Sequence, residues 1–518
     1  MKNAAPQRAR TSSIAAATCM IAATLAATCT TLTACQSSPP KATTTTATPS
    51  TGERLPRPPY RFNAKDEAFL SQVQRGAFQF LWNAGNANTG MVPDRLSNPA
   101  VVSVAGVGFQ LSALPIGVER GWVTREQAAV RAMKILAALD KDPAICKAGF
   151  FQHFLDADTA GLHKDTLEHV VSTIDSALLF CGMLTASSYF GGDVAQKADS
   201  MFARADFRFF VSGEEEPQAW QRGFVSLGWK PDSLKDASGK GHILPYYWID
   251  SGCEHRLVSL LGACAPREEF RLEPAAYYKL RRTLGTIEGD QTVVWFPYSG
   301  ALFVNQFSHC WINYAAMGQD DPTQFGFAPH LRAPMDWWEN SRRMTRLHQL
   351  KALEFAAKYK TFGENAWGLS ASDCPNGYCV PGVFPTPLPM PGATPKVDFA
   401  PEQPRDDAGD GTLAPYSMGT SIMFDPVRSV AGLRHMASIP GKDGKPAIWH
   451  DPASGGYGFA DAINLDKDWA SQDFVSIDQG PMLLAIENAR TGLIWKLFHK
   501  HPAVQAGLQR LNLQPATK

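Results

Sequence analysis

The sequence predicts a mainly α-helical protein, on three observations. Apolar residues recur at helical spacing through long stretches, several stretches open on a capping residue, and strand signals are few. Residues 66–82 place Phe69, Leu70, Val73, Phe78, Phe80 and Leu81 in an amphipathic pattern. Residues 124–140 open on Thr124 with Gln127 three positions later, the pattern of a capping box. Residues 172–190 open on Ser172 and continue almost wholly apolar. Further helices are expected over 251–262, 340–358 and 479–490. Thr292–Phe296 and Ala301–Val304 flank Pro-Tyr-Ser-Gly and predict one short hairpin. No short repeat marks a solenoid. Residues 380–409 carry a run of prolines from Pro381 to Pro404, which predicts a long irregular loop, either a cleft wall or a surface insertion.

The N-terminus reads as a targeting segment. Lys2, Arg8 and Arg10 precede an uncharged stretch, Ile14 to Thr33, that ends in Leu32-Thr33-Ala34-Cys35. Residues 1–34 are expected to be a lipoprotein signal, with lipidation of Cys35; a plain secretory signal is the alternative. Residues 35–60 are Ser/Thr/Pro-rich and read as a tether. Residues 61–518 are expected to form one domain. Gln36 after the cysteine resembles the sorting signal for the outer membrane, so a periplasmic or outer-membrane location is expected. No other stretch is apolar for about twenty residues, so membrane contact is expected through the anchor only.

Lys plus Arg and Asp plus Glu each number 49, for a net charge of zero, which disfavours nucleic acid as a partner and suits a neutral carbohydrate. The chain is expected to be a monomer. Beyond the leader the cysteines are odd in number, leaving at least one unpaired. Cys374 and Cys379 flank a turn-rich loop and are placed to form a disulfide. Cys253 and Cys264 fall on one predicted helix, ~16 Å apart, too far to bridge. No Cys/His spacing resembles a zinc site, and neither metal nor other cofactor is expected.

The chemistry is sought in acids set among apolar residues, where desolvation raises a carboxyl pKa. Glycoside hydrolysis uses two carboxyl groups, one donating a proton and one activating water or attacking carbon. Glu254 opens a helix after Tyr246-Tyr247-Trp248-Ile249-Asp250, with Asp250 a nearby competitor. Asp478 precedes Gly480 and Pro481 at a helix start and is also a natural N-cap. Asp175 interrupts the apolar helix after Ser172. Glu487 lies nine residues beyond Asp478, about half a rotation away on one helix, and reads as structural, paired with Arg490 or Arg342.

Several motifs carry a family resemblance over roughly residues 165–500. They are Ser172-Thr173-Ile174-Asp175-Ser176-Ala177, Glu254 with the apolar run to Pro266, Asn305 to Asn313, Asp336 to Arg342, Asp410-Gly411-Thr412, Tyr457 to Asn464, Ile477 to Pro481 and Ile486 to Trp495. Together they resemble the glycoamylase-like domain family, which includes the endo-β-1,2-glucanases of glycoside hydrolase family 144. His255 and Arg256 depart from the small or apolar residues usual after the glutamate, and Asn313 stands where an Asp is commoner. The resemblance implies an (α/α)6 toroid and an endo-acting, inverting β-1,2-glucanase, with Glu254 as acid, Asp478 as base and Asp175 as sugar ligand or alternative base. Gln306, His309, Trp311, Tyr247, Trp367, Asp410, Tyr457 and Asp461 are the expected substrate contacts. A transglycosylase acting on cyclic β-glucan, a hydrolase of another glucan linkage and a non-catalytic glycan-binding lipoprotein are the alternatives.

Overall fold

The computed structural model describes residues 56–164, 169–232 and 238–513. Cys35, the signal and most of the tether lie outside the described residues. The helices are α1 (Ala64–Asn83), α2 (Val104–Glu119), α3 (Arg125–Leu139), α4 (Thr173–Phe190), α5 (Gly192–Phe202), α6 (Gly252–Cys264) and α7 (Ala275–Tyr278). They continue with α8 (Tyr314–Met317), α9 (Trp337–Phe355), α10 (Pro415–Thr420), α11 (Pro426–Ser438), α12 (Ser476–Arg490), α13 (Leu493–Lys500) and α14 (Pro502–Arg510). Among the described residues no sheet exceeds three strands.

The helices form two rings. Almost every residue of α2, α4, α6, α10 and α12 is buried, and so are the 3-10 turns Leu302–Asn305 and Phe307–Cys310. With the two successive 3-10 turns taken as one segment, these six segments are the inner ring. Neighbours pack in the order α2, α4, α6, the 3-10 turns, α10, α12, and α12 returns to α2. The turns join α10 through Gln306, whose Nε2 donates to Ser417 O at 3.1 Å and Ser421 Oγ at 2.7 Å. Amphipathic α1, α3, α5, α9 and α11 cover the ring outside, and α14 packs on α6. This is the (α/α)6 toroid.

A helix buried on all sides loses the polar face that makes helical periodicity visible. That is why α2, with Gly106, Gly108, Pro115 and Gly117, gave no clear signal. Its glycines serve packing: a Cβ on Gly108 would stand 2.3 Å from Leu178 O, and one on Gly182 of α4 would stand 2.2 Å from Gly108 O. α2 and α4 therefore touch backbone to backbone.

The predicted helices are present. Thr124 and Gln127 form the full capping box of α3, and Ser172 caps α4 by accepting from Asp175 N. The predicted hairpin is corrected. Its strands are Thr283–Ile287 and Gln291–Trp295, whereas Leu302–Asn305 is a 3-10 turn buried in the inner ring. Cys374 and Cys379 are bonded, and Cys146, Cys181, Cys253, Cys264 and Cys310 are free. Glu487 is structural as read, but its partner is Arg120 at 2.7 Å, with Gln74 donating at 3.0 Å; Arg490 pairs with Glu67 instead. No described helix is long and apolar enough to cross a membrane.

Candidate active site

Three inner helices each present an acid at their third residue. Thr173 begins α4 and places Asp175; Gly252 begins α6 and places Glu254; Ser476 begins α12 and places Asp478. The helices run parallel, and their first turns share one end of the toroid. A Cβ on Gly106 in the first turn of α2 would lie 2.1 Å from Ser476 Oγ of α12. Trp248, in the loop before α6, donates from Nε1 to Thr173 Oγ1 of α4 at 2.8 Å. Asp478 does not cap its helix: Val475 holds that position and offers no side-chain bond, and the Asp478 carboxyl is buried against Asp461 instead.

A helix N-terminus favours a carboxylate, but here burial dominates. Glu254 is 9% exposed, and desolvation, then the charge of Asp175, pushes its pKa up to about 8. Ser251 donates to Glu254 Oε2. Asp175 in turn lies 3.4 Å from His153 Nε2. Across the ring, Asp478 and Asp461 form a carboxyl pair. Burial pushes Asp478 well above the usual carboxylate range, and the charge of Asp461 and a hydrogen bond with it add to the effect. Burial likewise raises Asp461, to about 6. Such a pair holds one proton and one negative charge over a wide pH span.

Arg95 is the cation nearest this pair. Its guanidinium contacts Asp373 at 2.9 Å, Asp94 at 3.3 Å and Asp473 at 3.7 Å. Asp373 N–H donates to Asp461 Oδ2 at 2.8 Å. Tyr416, at the second residue of α10, feels the charges of both Asp478 and Asp461; burial first, and those charges after it, raise its hydroxyl pKa. The arrangement supplies a protonated carboxyl on one side of the ring and a single shared negative charge on the other. That is what acid-and-base hydrolysis of a glycoside requires. No group of three or more metal-ligating side chains occurs among the described residues.

Glu254, Asp175 and Asp478 were singled out in the sequence as candidate acids and Asp461 only as a substrate contact; the structure brings Glu254 and Asp175 together, and Asp478 and Asp461 together. Four expected substrate contacts are corrected to core residues. Gln306 is fully buried and bonded to α10. His309 is 1% exposed, bonded through Nε2 to Ser341 Oγ at 2.9 Å, and burial holds its pKa well below normal. Trp311 is fully buried, with its ring against Phe109 and its Nε1 donating to Ser112 Oγ. Trp367 is likewise fully buried. None of these four has a face open to a sugar.

The remaining candidates are half-buried. Tyr247 stands in the loop leading into α6 and donates from its hydroxyl to Glu216 Oε2 at 2.6 Å. Asp410 folds its carboxylate onto Thr412 N and Oγ1 in the turn before α10. Tyr457 packs edge-on against Phe80 and Phe474. Asp250 is taken up by Arg281. Sequence reasoning missed Asp94, Arg95, His153, Asp473 and Tyr416; all but Tyr416 sit in loops or short strands, and only the tertiary fold brings them beside the acids. Asp373, in a short strand closed by the Cys374–Cys379 disulfide, was missed as well.

A separate cavity of about 880 Å³ contains none of these acids. It is lined by the first turns of α1, α9 and α11, with Arg342, Arg346, Arg428 and Arg434 in its wall. Those arginines are paired with Glu339, Glu288, Asp425 and Asp66, so they are part of the frame.

Residues 246–502 match the Glycoamylase family model, a span that holds Glu254, Asp373, Asp461 and Asp478 but not Arg95 or Asp175. A curated relative, the exo beta-1,2-glucooligosaccharide sophorohydrolase (non-reducing end) of Parabacteroides distasonis, is 26% identical over 86% of this chain; the match spans 58% of that relative's length. The endo-beta-1,2-glucanase of Chitinophaga pinensis, solved with sophorotriose and glucose, aligns with a TM-score of 0.65 at 23% identity over 86% of this chain and 98% of its own. A beta-1,2-glucanase of Parabacteroides distasonis aligns with a TM-score of 0.68 at 23% identity, over 87% of this chain and 60% of its own. Both structures show the same fold. The Glycoamylase model matched by residues 246–502 is thus similar to the part of the chain that carries most of the motifs noted in the sequence.

Proposed function

We propose that the chain is a glycoside hydrolase that cuts β-1,2-linked glucan. The observation that carries the reading is Glu254: a buried carboxyl that keeps its proton at neutral pH, at the open end of the inner ring and across from a carboxyl pair with one negative charge. Glu254 donates its proton to the glycosidic oxygen. The Asp461–Asp478 pair, with Asp478 as its helix-borne member, draws a proton from the attacking water. Burial, and after it the charge of Asp175, keeps Glu254 protonated, and Asp175 is the group that would receive a sugar hydroxyl. The linkage follows from the relatives, which act on β-1,2-glucans or β-1,2-gluco-oligosaccharides by name.

Endo action with inversion is our finer reading. The named endo-glucanase with the same fold supports the first part, and the curated sophorohydrolase favours exo action instead. The test is incubation with linear β-1,2-glucan beside β-1,3-, β-1,4- and α-1,4-glucans, with products separated by size at early times. A ladder of oligosaccharides from β-1,2-glucan alone supports endo action. Sophorose as the sole early product replaces it with exo action, and an uncut β-1,2-glucan rejects the proposal. The anomeric form of the first product, read by proton NMR, decides inversion.

A further inference from the structure

We propose that Asp373 is a positioning residue for the Asp461–Asp478 pair, clamped in place by Arg95 and by the Cys374–Cys379 hairpin. The inference rests on the reading of that pair as the water-activating group. Asp373 works at both ends. Its backbone N–H donates to Asp461 Oδ2 at 2.8 Å. Its carboxylate receives Arg95 Nη1 on both oxygens, at 2.9 and 3.1 Å.

Each end is anchored in something rigid. Asp373 is the middle residue of strand Ser372–Cys374, paired with Gly377–Cys379, and the disulfide closes this hairpin directly beside it. Arg95 forms an antiparallel bridge with Val475, the residue that caps α12, and Leu96 N donates to Phe474 O at 3.0 Å. Asp94 O accepts from Ser476 N, the first residue of α12, at 2.8 Å. The segment that sets the start of α12, and with it Asp478, is thus tied through Arg95 and Asp373 to Asp461. One strut holds both carboxyls of the pair in register. Geometry fixed in this way matters, because a misplacement of about 1 Å can cost about 100-fold in rate.

The strut also sets the charge around the pair. The groups that face it are Asp373 from the hairpin, Arg95 with Asp94 from the loop before α2, Asp473 from the loop before α12, and Tyr416 from α10. Asp373 and Arg95 act on the pair with opposite signs.

The test uses the intact chain with three changes: Asp373→Asn, Arg95→Met and the double substitution Cys374→Ser/Cys379→Ser. On linear β-1,2-glucan each is expected to lower kcat about 10- to 100-fold with KM changed less than about threefold. Asp373→Asn is expected to move the acid limb of the pH profile to lower pH, and Arg95→Met to higher pH. A second readout needs no turnover: the titration of the pair followed by carbon-13 NMR of aspartate-labelled protein, with Asp478→Asn identifying its signals. The midpoint is expected to move in the same two directions. If kcat falls while the midpoint stays put in both single variants, the role is merely structural and the proposal is overturned. Unchanged kcat in all three variants overturns it too. If the wild-type protein cuts no glucan, the functional reading fails, and the NMR midpoint alone decides for or against the strut.

Discussion

Replacing Asp175 with Asn tests how the proton is kept on Glu254. Burial is the larger cause of the raised pKa of Glu254 and the Asp175 charge the second; together they bring it to about 8. At that value Glu254 is about nine-tenths protonated at pH 7, half at pH 8 and about one-tenth at pH 9. A carboxyl at its ordinary value would be protonated to only a few parts per thousand at pH 7. A like charge disfavours ionisation, so its removal lowers the Glu254 pKa, and the alkaline limb of kcat moves to lower pH. A loss of about one pKa unit, or about 1.4 kcal/mol, takes the protonated fraction at pH 8 from half to about one-tenth, about a fivefold drop. At pH 6 the fraction hardly changes. The assay is therefore the ratio of kcat at pH 8 to kcat at pH 6, for wild type and Asp175→Asn, by reducing-end release from β-1,2-glucan. The ratio cancels any pH-independent loss from a missing sugar contact. A limb that stays in place or moves to higher pH refutes the reasoning.

Other outcomes follow from the same structure. Glu254→Gln is expected to abolish turnover and to stabilise the protein at high pH: the folded pKa of about 8 exceeds the unfolded value, so wild type loses stability as pH rises from about 4.5 to 8, by on the order of 5 kcal/mol. Thermal unfolding at pH 5 and pH 9 should show a smaller difference between the two pH values for the variant. Asp320→Ala strands Arg282, since that pair is buried on both sides at 2.7 Å and Asp320 also accepts from Trp337 Nε1. A loss of about 3–5 kcal/mol in urea unfolding is expected. Gly108→Ala forces a methyl against the α4 backbone and should cost about 1–3 kcal/mol by the same measurement. From the sequence alone, the lipoprotein reading of residues 1–35, which we propose, predicts that Cys35→Ser moves the protein from the membrane to the soluble fraction on cell fractionation.

The outer ring was more legible than the inner one. α1, α3 and α9 keep a polar face, and α3 carries its capping box openly as Thr124 and Gln127. α2 and the turns around Gln306 are buried on every side, so their sequences show neither amphipathic period nor cap, and 301–304 passed for a strand. The acids were visible because a carboxyl among apolar residues stands out in Ile174-Asp175-Ser176 as it does in Cys253-Glu254-His255. The polar residues of Asn305–Asn313 misled for the same reason: a buried polar group seeks a hydrogen bond, and Gln306 Nε2, His309 Nε2 and Trp311 Nε1 find theirs inside the core. Arg95, distant in sequence from Asp373 and Asp461, has no local signal, because its role exists only once two loops meet.

The account stands most directly on where a glucan lies. In crystals of Glu254→Gln soaked with a linear β-1,2-gluco-oligosaccharide, the scissile oxygen is predicted within about 3 Å of the substituted side chain. The anomeric carbon should then face the Asp461–Asp478 pair. An oligosaccharide bound only in the arginine-lined cavity, or with no glycosidic oxygen near residue 254, would contradict it.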